Sequence, residues 1–409
     1  MNLFLDLFAV LALFIFLGKY FRNMEGALIF AFLIKPLIDT GWDFKIIGLS
    51  LIDFYSIFFL VISYSFVFKK RLFAPRNKSY IGLWAFAHLG LIFLFLTSPF
   101  SAFEGVMRAL FFPLGLVLLP YFLGTNNHNN QSKILKYLLI GSVFAAAISI
   151  LQGVGIINEV TARQTKGLER ANGFYHDIVT VRIYIVQGLL ALYFAYRTKI
   201  LKLSKLTLAA LLFIFLAGGF FTYSKAFIGI IAMGVLMFLF TEKNKIKGLL
   251  FILLTGFCLL MFKEGLVEDI SQVFVKEINY SEGNLEDEGQ LFSGRGMLWK
   301  NYWDNFNETD SFTQFLGFNK NDGRTHNEFL RILILSGLLG LIAYLLLYIN
   351  LIGSAIKSLF QKRPLIFLTG WCLGMLILDG ISVVWGLYPY YMILILGFFF
   401  ISVQYKEID

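Results

Sequence analysis

The chain has 409 residues, 58% of them hydrophobic and 15% charged, with a mean hydropathy of +0.74. Soluble domains run nearer a quarter charged, so this composition excludes a soluble fold, and long apolar runs without strand alternation exclude an outer-membrane barrel. The net charge of +9 does not indicate a nucleic-acid partner, because many basic residues sit in short connections between apolar runs, the pattern of cytoplasmic loops.

Apolar runs approaching the ~20 residues needed to cross a bilayer fall at 2–20, 25–40, 47–68, 80–98, 102–124, 133–153, 177–196, 204–221, 224–241, 247–263, 326–352, 364–382 and 387–404. They predict an all-α, polytopic transmembrane bundle of 12 or 13 spans. The first run, Asn2 to Leu17, has no basic flank and no small-residue cleavage site, and reads as a retained helix. Basic clusters such as Lys69, Lys70, Arg71, Arg76 and Lys78, or Arg197, Lys199, Lys202 and Lys205, fall on alternate connections. That alternation puts the N-terminus outside and the C-terminus inside.

Two outer connections are long, 153–176 and 264–325. The expected organisation is an N-terminal bundle (1–263), a large outer loop (264–325) and C-terminal helices (326–409). Within the spans, Arg108 and Glu104 are one helical turn apart and can pair. Lys35, Asp53 and Asp379 are further ionisable residues for which pairing or snorkelling is the plain account. Cys258 and Cys372 lie in apolar runs and offer neither a disulfide framework nor metal-ligand spacing.

The first long connection holds Arg163, Lys166, Glu169, Arg170, Gly173, Phe174, His176 and Asp177. Its basic excess runs against the positive-inside trend and suits a diphosphate; the alternative is a loop of mixed charge. Adjacent residues do not face each other on a helix, which counts against a His176–Asp177 pair. Arg182, just inside the seventh span, and Lys225, at the outer start of the ninth, can both reach an outer cavity.

The second long connection has an acidic middle, Ser281 to Glu288. Ser293-Gly294-Arg295-Gly296 follows, then Leu298, Tyr302, Trp303 and Phe306 at helical spacing. The rings suit a helix at headgroup depth, with Ser293 as its N-cap. Free N–H groups at a helix start, glycines that admit a ligand, and the planar fork of Arg295 together suit phosphate. A capped surface helix with a solvated arginine is the alternative. Thr325-x-x-Glu328 fits a capping box. That places His326 in a first turn, where the helix dipole favours neutral imidazole, able to take a proton from a hydroxyl. The other account is a structural hydrogen bond at the interface. Asn327 can orient a substrate hydroxyl or cap the helix.

Ser293-Gly294-Arg295, the aromatic run to Phe306, Gly317, and His326-Asn327-x-Phe329-Leu330 leading to Ser336-Gly337-Leu338-Leu339-Gly340 resemble the signature region of the O-antigen polymerase and O-antigen ligase superfamily. The match covers about 290–345. Arg170-x-x-Gly173-x-Tyr175 and Thr222-x-Ser224-Lys225 resemble two further motifs of that family. Two departures are Lys225, where the family has arginine, and His176-Asp177, where it has proline-asparagine.

The resemblance implies a GT-C-like membrane glycosyltransferase of the bacterial inner membrane, active at the periplasmic face. Its donor would be an oligosaccharide on undecaprenyl diphosphate. A polymerase joining repeat units is slightly favoured over a ligase acting on lipid A-core, and a flippase is the competing class. The implied catalytic residues are His326 and Arg295. The implied diphosphate or glycan contacts are Lys225, Arg170, Arg324, Asn327 and Arg182. No metal, cofactor or nucleic acid is implied; the partners would be membrane lipid, a chain-length regulator and a flippase.

Overall fold

The computed structural model describes residues 2–74, 77–124, 128–157, 170–241, 246, 265–282, 291–318 and 320–405. Among these the one sheet is a short hairpin, Lys45–Ile46 with Leu49–Ser50; nearly everything else is helix. Hydrocarbon offers no hydrogen bonds, so a spanning backbone must satisfy its own polar groups, as an α-helix does.

Seven helical segments are long and apolar enough to cross a bilayer: Phe4–Arg22, Leu51–Lys70, Asn77–Thr97, Pro99–Gly124, His128–Gly153, Ile178–Thr198 and Glu328–Phe360. Lys205–Phe220, Lys225–Thr241, Ile366–Ser382 and Pro389–Gln404 are shorter apolar helices. This is a multi-pass membrane protein. The second expected span is the helix Met24–Ile38; the tenth, 247–263, lies outside the described residues. The fifth is broken into Pro99–Ala109, Phe111–Gly115 and Leu118–Gly124. Asp53, expected inside a span, belongs to a capping box with Ser50 at the start of Leu51–Lys70.

The chain forms two compact units, Met1–Leu72 with Leu118–Val273, and Phe73–Val117 with Phe274–Lys406. In the first, His128–Gly153 packs against Met24–Ile38, Ile178–Thr198 and Lys205–Phe220. Small residues allow the approach: a Cβ on Gly218 would stand 2.9 Å from the backbone of Ala146. Lys35 forms a buried ion pair with Asp39, whose other oxygen accepts from the Tyr184 hydroxyl.

In the second unit, Glu328–Phe360 packs against both Asn77–Ala87 and Ile366–Ser382. The long helix bends at Gly337, where φ 61° and ψ −162° are open essentially to glycine alone. Three backbones meet at the bend. The Phe318 N–H donates to the Ile334 carbonyl at 2.6 Å, and the Gly90 N–H donates to Ser336 Oγ at 2.9 Å. A Cβ on Gly317 would fall 2.4 Å from Leu335 O, and one on Gly337 would fall 2.3 Å from Phe315 O. The Gly317 and Ser336-Gly337 positions of the sequence motif are thus packing requirements. Exposed large hydrophobic side chains on this helix begin at Leu338 and recur to Phe360, a stripe suited to lipid.

Gly337→Ala is expected to destabilise the protein by at least about 2 kcal/mol, from backbone strain plus collision. Gly353→Ala, with open space around the added methyl, should be neutral or slightly stabilising. Thermal melting of the two variants in detergent checks the contrast.

Candidate functional site

One face of the helix Leu291–Asn307 organises the second unit's polar end. Arg295, Trp299, Tyr302 and Phe306 recur at spacings of four, three and four, so they share that face. Arg295 Nη1 donates to the Ser382 carbonyl at 2.6 Å. Trp299 Nε1 donates to the Thr325 carbonyl at 2.8 Å, and the Tyr302 hydroxyl donates to Asp322 Oδ2 at 2.7 Å. The Phe306 ring is buried, stacks on Trp303 and meets Phe318 edge-on. Tyr302 and Phe306 help to hold the segment that carries His326, and Trp303 keeps half its surface exposed. The side chain of Ser293, the expected N-cap, lies outside the described residues. Gly294 has φ 83°, in the left-handed region that glycine enters without strain.

Asp322 is the hub of the connection. It accepts from the Arg324 backbone N–H at 3.0 Å and from Arg324 Nε at 3.2 Å, and pairs with Lys320 at 3.4 Å. Burial pushes its carboxyl up, but the hydrogen bonds from Tyr302 and Arg324 outweigh that and hold it well below the usual carboxylate range. Burial first, then the bond to Asp322 and its charge, push the Tyr302 hydroxyl up to about 12. Gly323–Thr325 forms a single 3-10 turn that closes at His326, which is exposed and left-handed with φ 48°.

The expected capping box is corrected here. Asn327 is the N-cap of Glu328–Phe360, its side chain accepting from the Leu330 N–H at 3.0 Å. The Thr325 hydroxyl donates to the carbonyls of Asp322 and Asn327 and stays within the turn. His326 therefore precedes the helix instead of sitting in its first turn. The dipole argument for a neutral imidazole loses its footing, because that effect is confined to the terminal turn.

Glu328, freed from capping, is fully buried. It accepts from Arg331 Nε at 3.1 Å and Nη2 at 2.5 Å, a bidentate pair, and from the Gly386 N–H at 3.3 Å. Arg331 also donates to Asn321 Oδ1 at 2.8 Å and meets His88 Nε2 at 2.9 Å. His88 Nδ1 lies 3.0 Å from the Trp84 carbonyl. A carbonyl only accepts and a guanidinium only donates, so His88 carries its proton on Nδ1 and is neutral. Directly behind Asn327, four polar residues from three segments saturate one another.

The first unit holds the other expected cations at one end of its bundle. The Ala171 N–H donates to the Phe221 carbonyl at 3.1 Å, and the Gly173 N–H to Gln152 Oε1 at 2.8 Å. These bonds lay the segment from Arg170 against the ends of His128–Gly153 and Lys205–Phe220. Arg182 is buried in the second turn of Ile178–Thr198, and Lys225 opens Lys225–Thr241. The structure thus brings Arg170, Arg182 and Lys225 to one end of this unit. Asp177 is an N-cap, accepting from the Thr180 N–H at 2.7 Å, and His176 packs edge-on against Trp42. Neither makes a pair with the other. Arg163, Lys166 and Glu169 lie outside the described residues.

No known protein family, curated protein or solved structure matches this chain.

The seven expected residues divide between the units: His326, Asn327, Arg324 and Arg295 in one, Arg170, Arg182 and Lys225 in the other. Arg331, His88 and Asn321 were not expected. The signal was present for two of them, since an ionisable residue inside an apolar run needs an explanation, and both His88 and Arg331 fall inside expected spans.

Removing either Glu328 (to Gln) or Arg331 (to Met) should cost about 3–5 kcal/mol by stranding a buried charge, and removing both should cost much less than the sum. A double-mutant cycle of unfolding measures that coupling. Because the Asp322 carboxyl is held low, its stabilisation is complete above the ordinary carboxylate value of ~3.9 and is lost only as pH falls toward its lower folded value. Amide exchange of segment 320–327 should stay protected down to about pH 4, and Tyr302→Phe should raise the pH at which protection fails.

Proposed function

We propose that this chain is an inner-membrane glycosyltransferase that acts at the periplasmic face on an oligosaccharide linked to undecaprenyl diphosphate, joining repeat units of a surface polysaccharide. The observation that carries this reading is the braced loop. An exposed histidine and an exposed arginine stand on one polar connection before a long apolar helix, and one helix face bearing Arg295 clamps the segment that holds them. The motif likeness over 290–345 supports the same reading.

In this mechanism an acceptor hydroxyl attacks the anomeric carbon of the donor. The new carbon–oxygen bond forms as the bond to the diphosphate breaks, and its electron pair leaves with the diphosphate. Direct displacement inverts the anomeric centre. His326 receives or aligns the hydroxyl proton, and Asn327, whose side chain already caps the helix, keeps that backbone in place. Cations stabilise the departing charge, the main requirement for such a leaving group. Arg295 has a fork suited to two phosphate oxygens, and Arg324, in the same unit, serves as a further diphosphate or glycan contact.

Reconstitution with an undecaprenyl-diphosphate-linked repeat unit, alone and with lipid A-core, tests the proposal. Lengthened lipid-linked glycan is the expected product. Transfer to core would mean a ligase, and movement between leaflets without a new glycosidic bond would remove the enzyme reading. His326→Ala should lower turnover by at least about 100-fold while leaving the melting temperature unchanged. Arg295→Lys should lose most activity, since a lysine cannot reproduce the bidentate contact.

A further inference from the structure

The first unit contains a cavity of about 490 Å³ that none of these roles uses. It lies between His128–Gly153 and Lys205–Phe220 and is closed at one end by the connection 200–203. Ser132, Lys136, Leu139 and Val143 recur every three or four residues, so the first helix presents them as one stripe. That stripe is polar at the helix start and apolar further in. Leu211 faces it from the other helix, and Lys202 stands with Lys136 at the mouth. Both lysines are exposed, and Ile140 on the same wall is 56% exposed, so the cavity opens onto the outer surface of this unit. Neither His128–Gly153 nor the stretch 178–220 contains an aspartate or glutamate, while Lys133, Lys199 and Lys205 add to the positive charge.

A phospholipid has the same order of chemistry: an anionic phosphate, then an acyl chain. We propose that this cavity binds an anionic glycerophospholipid from the leaflet its lysines face. Lys136 and Lys202 hold the phosphate, and the first acyl carbons lie against Leu139, Val143 and Leu211. Basic pockets between spanning helices are suited to such headgroups. The site is independent of the glycosyl-transfer reading.

The test uses the full chain in mild detergent, with bound lipid counted by native mass spectrometry. Phosphatidylglycerol should be retained in preference to phosphatidylcholine of the same chains. Lys136→Gln with Lys202→Gln should weaken that retention roughly thirtyfold, at about fivefold per lysine. Val143→Trp, which fills the apolar wall and leaves both lysines, should also weaken it. Glycerol phosphate, which lacks chains, should not displace the lipid at equal concentration. Equal retention of the two lipids, unchanged retention in both variants, or displacement by glycerol phosphate would overturn the proposal. So would an equal loss in Lys357→Gln with Lys362→Gln, because the effect would then be bulk charge.

Discussion

A protein interior without water obliges each polar group to find its partner within the chain, and the Glu328–Arg331 pair is where that obligation is heaviest. Two charges lie fully buried, and such a pair is tolerable only when its remaining donors and acceptors are also met. Asn321, His88 and the Gly386 N–H meet them. Each partner comes from a different part of the chain, so one pair ties Asn77–Ala87 and its turn, the loop before Asn327, and the turn after Ile366–Ser382 to a single point. Position is the consequence: the backbone at Asn327, and so at His326 beside it, is set by a network with no slack.

The Gly337 bend answers the same constraint in backbone form. An interrupted helix inside a buried region strands carbonyls, and here the Phe318 N–H serves the Ile334 carbonyl, an approach for which Gly317 leaves room. Polar loop and spanning helix are thereby joined at two levels, by side chains at Glu328 and by backbone at Ile334. Below the bend the helix turns its apolar side chains outward; above it they are covered. Phe318 and Asn327 are each held by the helix, and between them Asp322 is tied to Tyr302 and Arg324. The proposed role of His326 would need this kind of support, because a loop residue serves a reaction only if its backbone is already in place.

The fold class was legible in the sequence because span length and apolar runs are local properties, and the expected spans that fall on described residues are helical. Gly317 and Ser336-Gly337 were legible as a motif but not as a mechanism. A glycine shows that room is needed, yet not which backbone will occupy it. The capping box needed correction for a clear reason. Thr325-x-x-Glu328 satisfies a capping rule, but that rule considers only neighbours along the chain. Glu328 had a better partner in Arg331.

By itself, the sequence determined a multi-pass helical membrane protein, two polar connections, and a short set of cations and histidines worth weighing. It did so because hydropathy and helical periodicity act over ranges of a few turns. The tertiary structure alone decided that Asn327 caps the helix, that His326 stands outside it, that His88 and Arg331 are partners 243 residues apart, and that Arg295 shares a face with the clamp on the His326 loop. Those outcomes turn on which buried polar group meets which, a competition settled by three-dimensional proximity and by the cost of leaving any one of them unmatched.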